Sequence, residues 1–283
     1  MRTGCASVLF SSFHWVPNVS MAEGLRLAAD AGFECIEYND QSRPLFFEAS
    51  DGELDELRSV AESLGLSFWS LHAPCLGRFS ISSSDADVRR RSREVCERSI
   101  EVCARLGASQ LVMHLLDRVG DEEAPAERQL TLALETLSIL IPTALSAQVT
   151  LAIENMSGSL DCARLVEIID GLGGQGLAIC LDVGHAHAGG KSPAEEARTA
   201  GGLLSTLHVH DNDGEGDQHL PPGFGTVDFP ALAQALGEVR YDGPFMLEVM
   251  KAHPSLSDLP VEDLVRLCAD RVRDAMGEPE SAK

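Results

Sequence analysis

Short apolar runs rich in β-branched and aromatic residues recur along the chain, separated by stretches whose apolar residues fall at helical spacing. The runs are CASVLF (5–10), FECIEYN (33–39), LSFWSLHAP (66–74), SQLVMHLL (109–116), TLAIENM (150–156), LAICLDVGH (177–185), STLHVHDN (205–212) and GPFMLEVM (243–250). Each predicts a strand. Helices are predicted over MAEGLRLAADAG (21–32), DGELDELRSVAESLG (51–65), RRSREVCERSIEVCARLG (90–107), LDCARLVEIIDGLG (160–173), DFPALAQALGEV (228–239) and VEDLVRLCADRVRDAMG (261–277). Several close on glycine, which takes the left-handed conformation that commonly ends a helix.

Strand then helix, eight times within 283 residues, is the count of a (β/α)8 barrel. An open doubly wound sheet alternates in the same way, but it normally carries a glycine-rich phosphate loop after its first strand. This chain has SSFHWVPNVS (11–20) there. No linker or low-complexity segment divides the sequence. The expected fold is therefore α/β, a single TIM barrel domain over residues 1–283.

Composition then removes several function classes. Asp and Glu number 44 against 22 Lys and Arg, a net charge of −22, and only three of the basic residues are lysines. Nucleic-acid binding requires a basic face that neutralises phosphates, and the one basic run, RRRSR (89–93), falls on a predicted helix among acids. No nucleic-acid partner is expected. No uninterrupted apolar run approaches bilayer length, and the apolar patch at the N-terminus runs into His14 and Trp15, so it reads as a first strand and not as a secretion signal. A cytoplasmic protein without a membrane partner is expected. The eight cysteines form no CxxC pair and fall mostly in apolar runs, so they are expected reduced and buried, with Cys75, just beyond LHAP, set apart by position.

The chemistry is expected where strands run into their following helices, as in barrels of this type. His72, His114, Glu154, Asp182, His208 and Glu248 close strands three to eight; His185 follows strand six, and Asp217 and His219 lie in the loop after strand seven. The segment HVHDNDGEGDQH (208–219) alone reads equally as a solvated acidic loop, since Asp, Asn and Gly are turn residues. A carboxylate closing an apolar strand, as in LAIENM and FMLEVM, is costly to bury without a partner, however. Histidine at one register on three strands, in a chain with 9 histidines, completes a pattern that points to metal. The His and carboxylate donors suit Mn, Zn, Fe or Co. They permit one ion in a polar pocket, or up to three sharing carboxylates. His210 shares the facing of His208 but lies further along, as a substrate contact or a support for the ligands.

These residues resemble the xylose-isomerase-like barrel superfamily, which includes sugar phosphate isomerases and epimerases and endonuclease IV. The resemblance covers nearly the whole chain and rests on LHAP, VMHLLD, AIENMSG, CLDVGHAHAGG, HVHDNDGEGDQHLPPGFGTVDF and MLEV. The sugar isomerase members imply one divalent ion held by Glu154, Asp182, His208 and Glu248, with Glu154 and Glu248 also serving as the acid/base pair. Endonuclease IV implies three ions, the further two held by His72 and His114 with Glu154, and by His185, Asp217 and His219.

The expected activity is a divalent-metal-dependent isomerisation or epimerisation of a sugar, polyol or keto-sugar. A multinuclear hydrolase of a small phosphoester is the alternative, and a metal-dependent, non-catalytic binding barrel a third reading. Glu37, Trp15, His210 and Lys251 are the candidate substrate contacts, with Arg78, Arg118 and Lys191 as further cations following strands. Oligomeric state is not readable from the sequence; a homo-oligomer is suggested only by analogy with relatives.

Overall fold

The computed structural model describes residues 1–11, 19–75, 79–116, 125–250, 254 and 256–277. Eight strands form one parallel sheet: β1 (Thr3–Ala6), β2 (Cys35–Tyr38), β3 (Ser67–His72), β4 (Gln110–Met113), β5 (Thr150–Glu154), β6 (Leu177–Asp182), β7 (Leu204–His208) and β8 (Phe245–Leu247). Each pairs with its sequence neighbour, and β1 pairs with β8. The last seam, between β7 and β8, is made just beyond β7: Val209 N–H donates to Met246 O at 2.8 Å and Glu248 N–H to Val209 O at 3.0 Å. The result is a nearly closed (β/α)8 barrel.

The helices are α1 (Met21–Ala31), α2 (Asp51–Ser63), α3 (Ala86–Leu106), α4 (Ala126–Ser146), α5 (Cys162–Gly171), α6 (Val183–Ala188), α7 (Pro193–Ala200), α8 (Phe229–Glu238) and α9 (Val261–Ala275). Local chemistry sets many of their starts. Ser20, Asp85, Asp161, Ser192 and Asp228 each accept a backbone N–H of the first turn, and Ser50 with Glu53 forms a capping box. α4 is, by length and composition alone, long and apolar enough to cross a bilayer, a test that a core helix also passes. Here it lies in the outer ring and buries Ala133, Leu137, Leu140 and Ala144 in the core.

Alternation along each strand decides what faces the barrel axis. Two residues below Glu154, Asp182 and His208 stand Ala152, Cys180 and Thr206, so small side chains fill the barrel beneath the polar layer. A register shift between Ile36 and Glu37 places Trp69 in a bulge of β3, from which its indole N–H reaches Thr206 Oγ1 at 3.2 Å. The predicted first strand, 5–10, is shorter and earlier in the structure. The chain leaves the sheet after Ala6 and makes a 3-10 turn over Ser7–Leu9, because Val8, Leu9 and Phe10 bury into the core from a turn as fully as from a strand.

Candidate active site and metal centre

The mouth of the barrel gathers all nine candidate ligands. Glu154, ending β5, sits at the centre and is almost wholly buried. Its Oε2 lies 3.4 Å from His72 Nε2, 3.2 Å from His114 Nε2 and 3.2 Å from His208 Nδ1, and its Oε1 lies 3.2 Å from His185 Nδ1. Burial opposes its charge, yet His114 and His208 beside it hold the carboxyl well below the usual carboxylate range.

The hydrogen-bonding state of each imidazole follows from its neighbours. The Glu37 carboxylate lies 3.0 Å from His208 Nε2, so that nitrogen carries the proton and Nδ1 is left with its lone pair. Nδ1 is fully buried and makes no hydrogen bond. It faces Glu154 Oε2 at 3.2 Å, Glu248 Oε2 at 3.4 Å and Asp182 Oδ2 at 4.0 Å. A lone pair and three carboxylates converging in a water-excluded space repel one another unless a cation, or a proton on His208, lies among them. Donor type and arrangement both fit one divalent ion held by Glu154, Asp182, His208 and Glu248.

The same logic repeats around this set. His72 Nδ1 donates to Ala73 O at 2.9 Å, His185 Nδ1 to Asn155 O at 3.0 Å, and His219 Nδ1 to Glu248 O at 2.9 Å. A carbonyl can only accept, so each ring presents Nε2 as its free donor atom when neutral. His185 Nε2 and His219 Nε2 each stand 3.3 Å from an oxygen of Asp217, and the three side chains form a compact donor group. Without an ion, burial opposes charge on His219, but Asp217 and Glu248 push its pKa up to about 9.

Other expected contacts are placed differently. Glu37, read from the sequence as a substrate contact, is fully buried beneath the mouth with its carboxylate on His208 and on the Ser70 hydroxyl at 2.7 Å. Burial opposes its charge, but His208 and Ser70 hold the carboxyl below its ordinary value. His210 is also fully buried; its Nε2 lies 3.1 Å from Asp182 Oδ1, and its ring stacks on His219 with centroids 3.8 Å apart. Any side chain at Gly184 would overlap the His210 ring. Lys191 pairs with Asp161 at 3.0 Å on the wall of a cavity of about 420 Å³, which His185 and Asn155 also line. Trp15, Arg78, Arg118 and Lys251 lie outside the described residues.

Sequence reasoning passed over four supports. Asn39 donates to Glu248 Oε1 at 3.1 Å, and its place two residues beyond Glu37, on the same face, was a usable signal. Asn155 clamps Asp182 by bonding both its N–H and its C=O, at 2.7 and 2.9 Å. Asp40 lies behind His72, Oδ1 to Nδ1 3.6 Å, and burial pushes its carboxyl up to about 6. Asp211 organises the loop that carries Asp217 and His219: its Oδ2 accepts from Gly223 and Gly225 N–H, and its Oδ1 from Asn212 and Val227 N–H, at 2.8–3.0 Å.

Comparison with known proteins places the fold. Residues 25–270 match the profile of a family described as xylose isomerase-like TIM barrel. A putative L-ribulose-5-phosphate 3-epimerase, SgbU of Haemophilus influenzae, is 26% identical over 247 residues, 82% of this chain and 84% of that protein. A D-psicose 3-epimerase crystallised in the presence of D-fructose superposes with a TM-score of 0.82 at 18% identity, covering 98% of this chain and 100% of that one. The zinc-bound IolI protein gives 0.82 at 19% identity, with 98% and 99% covered. At these identities the structural likeness speaks for the fold.

Proposed function

The chain belongs to the xylose isomerase-like TIM barrel family, and on that premise we propose that it is a divalent-metal-dependent isomerase or epimerase acting on a sugar, polyol or keto-sugar. The observation that carries this reading is the buried, unbonded Nδ1 of His208 facing three carboxylates. The ion, Mn, Zn, Co or Fe, would be held by Glu154, Asp182, His208 and Glu248. When bound it supplies electrophilic polarisation of a carbonyl and its neighbouring hydroxyl, which acidifies the carbon-bound proton.

The protein's own groups do the rest. Glu154, its carboxylate at the centre of the donor set, accepts a proton from substrate carbon. Glu248, steadied at Oε1 by Asn39, keeps Oε2 toward the mouth and returns a proton from its own side. Glu37 fixes the orientation of His208, and Asn155 that of Asp182. The cavity beside His185 gives a small hydroxylated molecule room to enter. Relatives that act on ketoses support a substrate of this class.

The test is ion content per chain after chelator-free purification, with solvent deuterium exchange into a panel of ketoses followed by NMR. Glu154→Gln and Glu248→Gln should each slow exchange by about 10²–10⁴-fold with folding intact. Retention of exchange in both variants would overturn the assignment.

A second reading is favoured by one observation: two further donor groups stand at the mouth, His72 and His114 with Nε2 toward Glu154, and His185 and His219 with Nε2 toward Asp217. Three ions there would fit hydrolysis of a small phosphoester, and screening such esters at an ion content above one per chain separates the two readings. The charge of −22 argues against a polymeric nucleic-acid substrate under either.

A further inference from the structure

The cavity of about 420 Å³ beside the barrel mouth is lined by the loop after β5 and by the segment that joins α6 to α7. His185 belongs to both spaces: its Nδ1 stands 3.2 Å from Glu154 Oε1, and its side chain also lines the cavity. The two loops meet so closely that a Cβ on Gly189 would lie 3.2 Å from Gly158 N, so backbone alone closes that side.

The charges on the wall cancel. Lys191 Nζ is paired with Asp161 Oδ2 at 3.0 Å and Arg164 Nη1 with Glu167 Oε2 at 2.7 Å. Both cationic side chains are about half exposed, where water screens them. A helix N-terminus is a ready anion site, but that of α5 is taken by the protein's own carboxylates. Asp161 accepts the Arg164 N–H at 2.9 Å, and the buried Glu196, reaching across from α7, accepts the Cys162 N–H at 2.7 Å. We propose that this cavity receives an uncharged, hydroxyl-bearing part of the substrate, a second sugar unit beyond the one that reacts at Glu154 and Glu248, and that it excludes phosphate. The identity of the reacting unit as a sugar rests on the isomerase or epimerase reading.

A phosphate only accepts hydrogen bonds, and here it would face Asp161 and Glu196. A sugar hydroxyl both donates and accepts, so it can donate to either carboxylate and accept from the Lys191 ammonium or the Ser159 hydroxyl. Met156, Leu160 and Ala186 add apolar surface for the C–H face of a ring. The volume falls in the range usual for small-molecule sites, about 300–1,000 Å³. It is more than a phosphate group fills and enough for one sugar ring.

The experiment is saturation-transfer NMR on the full chain loaded with zinc. The probes are D-fructose, D-fructose 6-phosphate and the uncharged ketose disaccharides palatinose, turanose and lactulose. Expected is transfer to the non-fructose ring of at least one disaccharide, bound about tenfold more tightly than fructose, a gain the size of one or two net hydrogen bonds. Fructose 6-phosphate should bind no more tightly than fructose. Ser159→Trp, which fills the cavity from an exposed loop position, should weaken that disaccharide by about tenfold. Asp161→Asn keeps a side chain able to cap α5 but releases Lys191, and should strengthen fructose 6-phosphate relative to fructose by about the same factor. No transfer to the second ring of any disaccharide would overturn the proposal. So would tighter binding of fructose 6-phosphate than of fructose by the unsubstituted protein, undiminished disaccharide binding in Ser159→Trp, or no gain for the phosphate in Asp161→Asn. The readout is binding and not turnover, so the two ideas fail separately. Transfer to the second ring without deuterium exchange into any ketose removes the isomerase or epimerase reading, whereas exchange without that transfer removes this inference alone.

Discussion

Replacing Asp211 by Asn is a near-isosteric change that attacks the loop carrying Asp217 and His219 without touching either. The Asp211 side chain is 1% exposed and accepts four backbone N–H groups, two on each oxygen. Whichever way the new amide is turned, one oxygen becomes an NH2 group facing two N–H donors. Hydrogen bonds to a charged acceptor contribute about 1.5–3 kcal/mol each, so two lost bonds amount to about 3–6 kcal/mol. Gly223 is exposed and can rebond to water, so a cost of about 2–4 kcal/mol is expected. Gly225 offers no escape by closer packing, because it already sits against Asn212 O and Asp211 Oδ1 so tightly that a Cβ would collide. Denaturant titration gives the stability change, and hydrogen exchange read by mass spectrometry follows the segment 212–227. Exchange there should accelerate at least tenfold while peptides from β3 to β5 are unchanged. Unchanged exchange in this segment with a stability loss below about 0.5 kcal/mol would refute the argument that Asp211 holds the loop.

Glu37→Gln should weaken divalent-ion affinity by about 10–100-fold, since the carboxylate on His208 Nε2 both orients the ring and raises its donor strength; competition with a chromophoric chelator reads this directly, and unaltered affinity would remove Glu37 from the metal site. Gly184→Ala forces a methyl into the His210 ring, so His210 must leave Asp182; a loss of about 1–3 kcal/mol is expected in thermal or chemical melts, and a neutral result would show that the ring moves freely. In the chelator-stripped protein, protonated His219 has a pKa raised to about 9 from about 6.5, so its contribution to stability is full below about 6.5 and is lost as pH rises through about 9. Melting temperatures of the stripped protein should therefore fall across that window. Metal-loaded protein should show a smaller fall wherever an ion replaces that proton, and a stripped protein that gains stability over the same range would contradict the assignment.

The sequence carried the barrel because its signals are local. Period-two alternation and helical spacing depend only on neighbouring residues, and the strand-end polar residues stood out because a carboxylate or imidazole is expensive at the close of an apolar run. The place where β1 turns was not legible, since Val8, Leu9 and Phe10 are equally apolar in a strand or a turn. Nor was the pair α6 and α7 after β6 evident, because VGHAHA is too short for helical spacing to show.

By itself the sequence placed His72, His114, Glu154, Asp182, His208 and Glu248 at the ends of successive strands, because strand order sends those ends to one mouth of one barrel; it did not place the loop residues Asp217 and His219. The tertiary structure decided their states. It set Glu37 beneath His208 from 171 residues away and Asn39 on Glu248 from 209 away. Which nitrogen of a histidine is free depends on a through-space partner at hydrogen-bond distance. No periodicity along the chain encodes that partner.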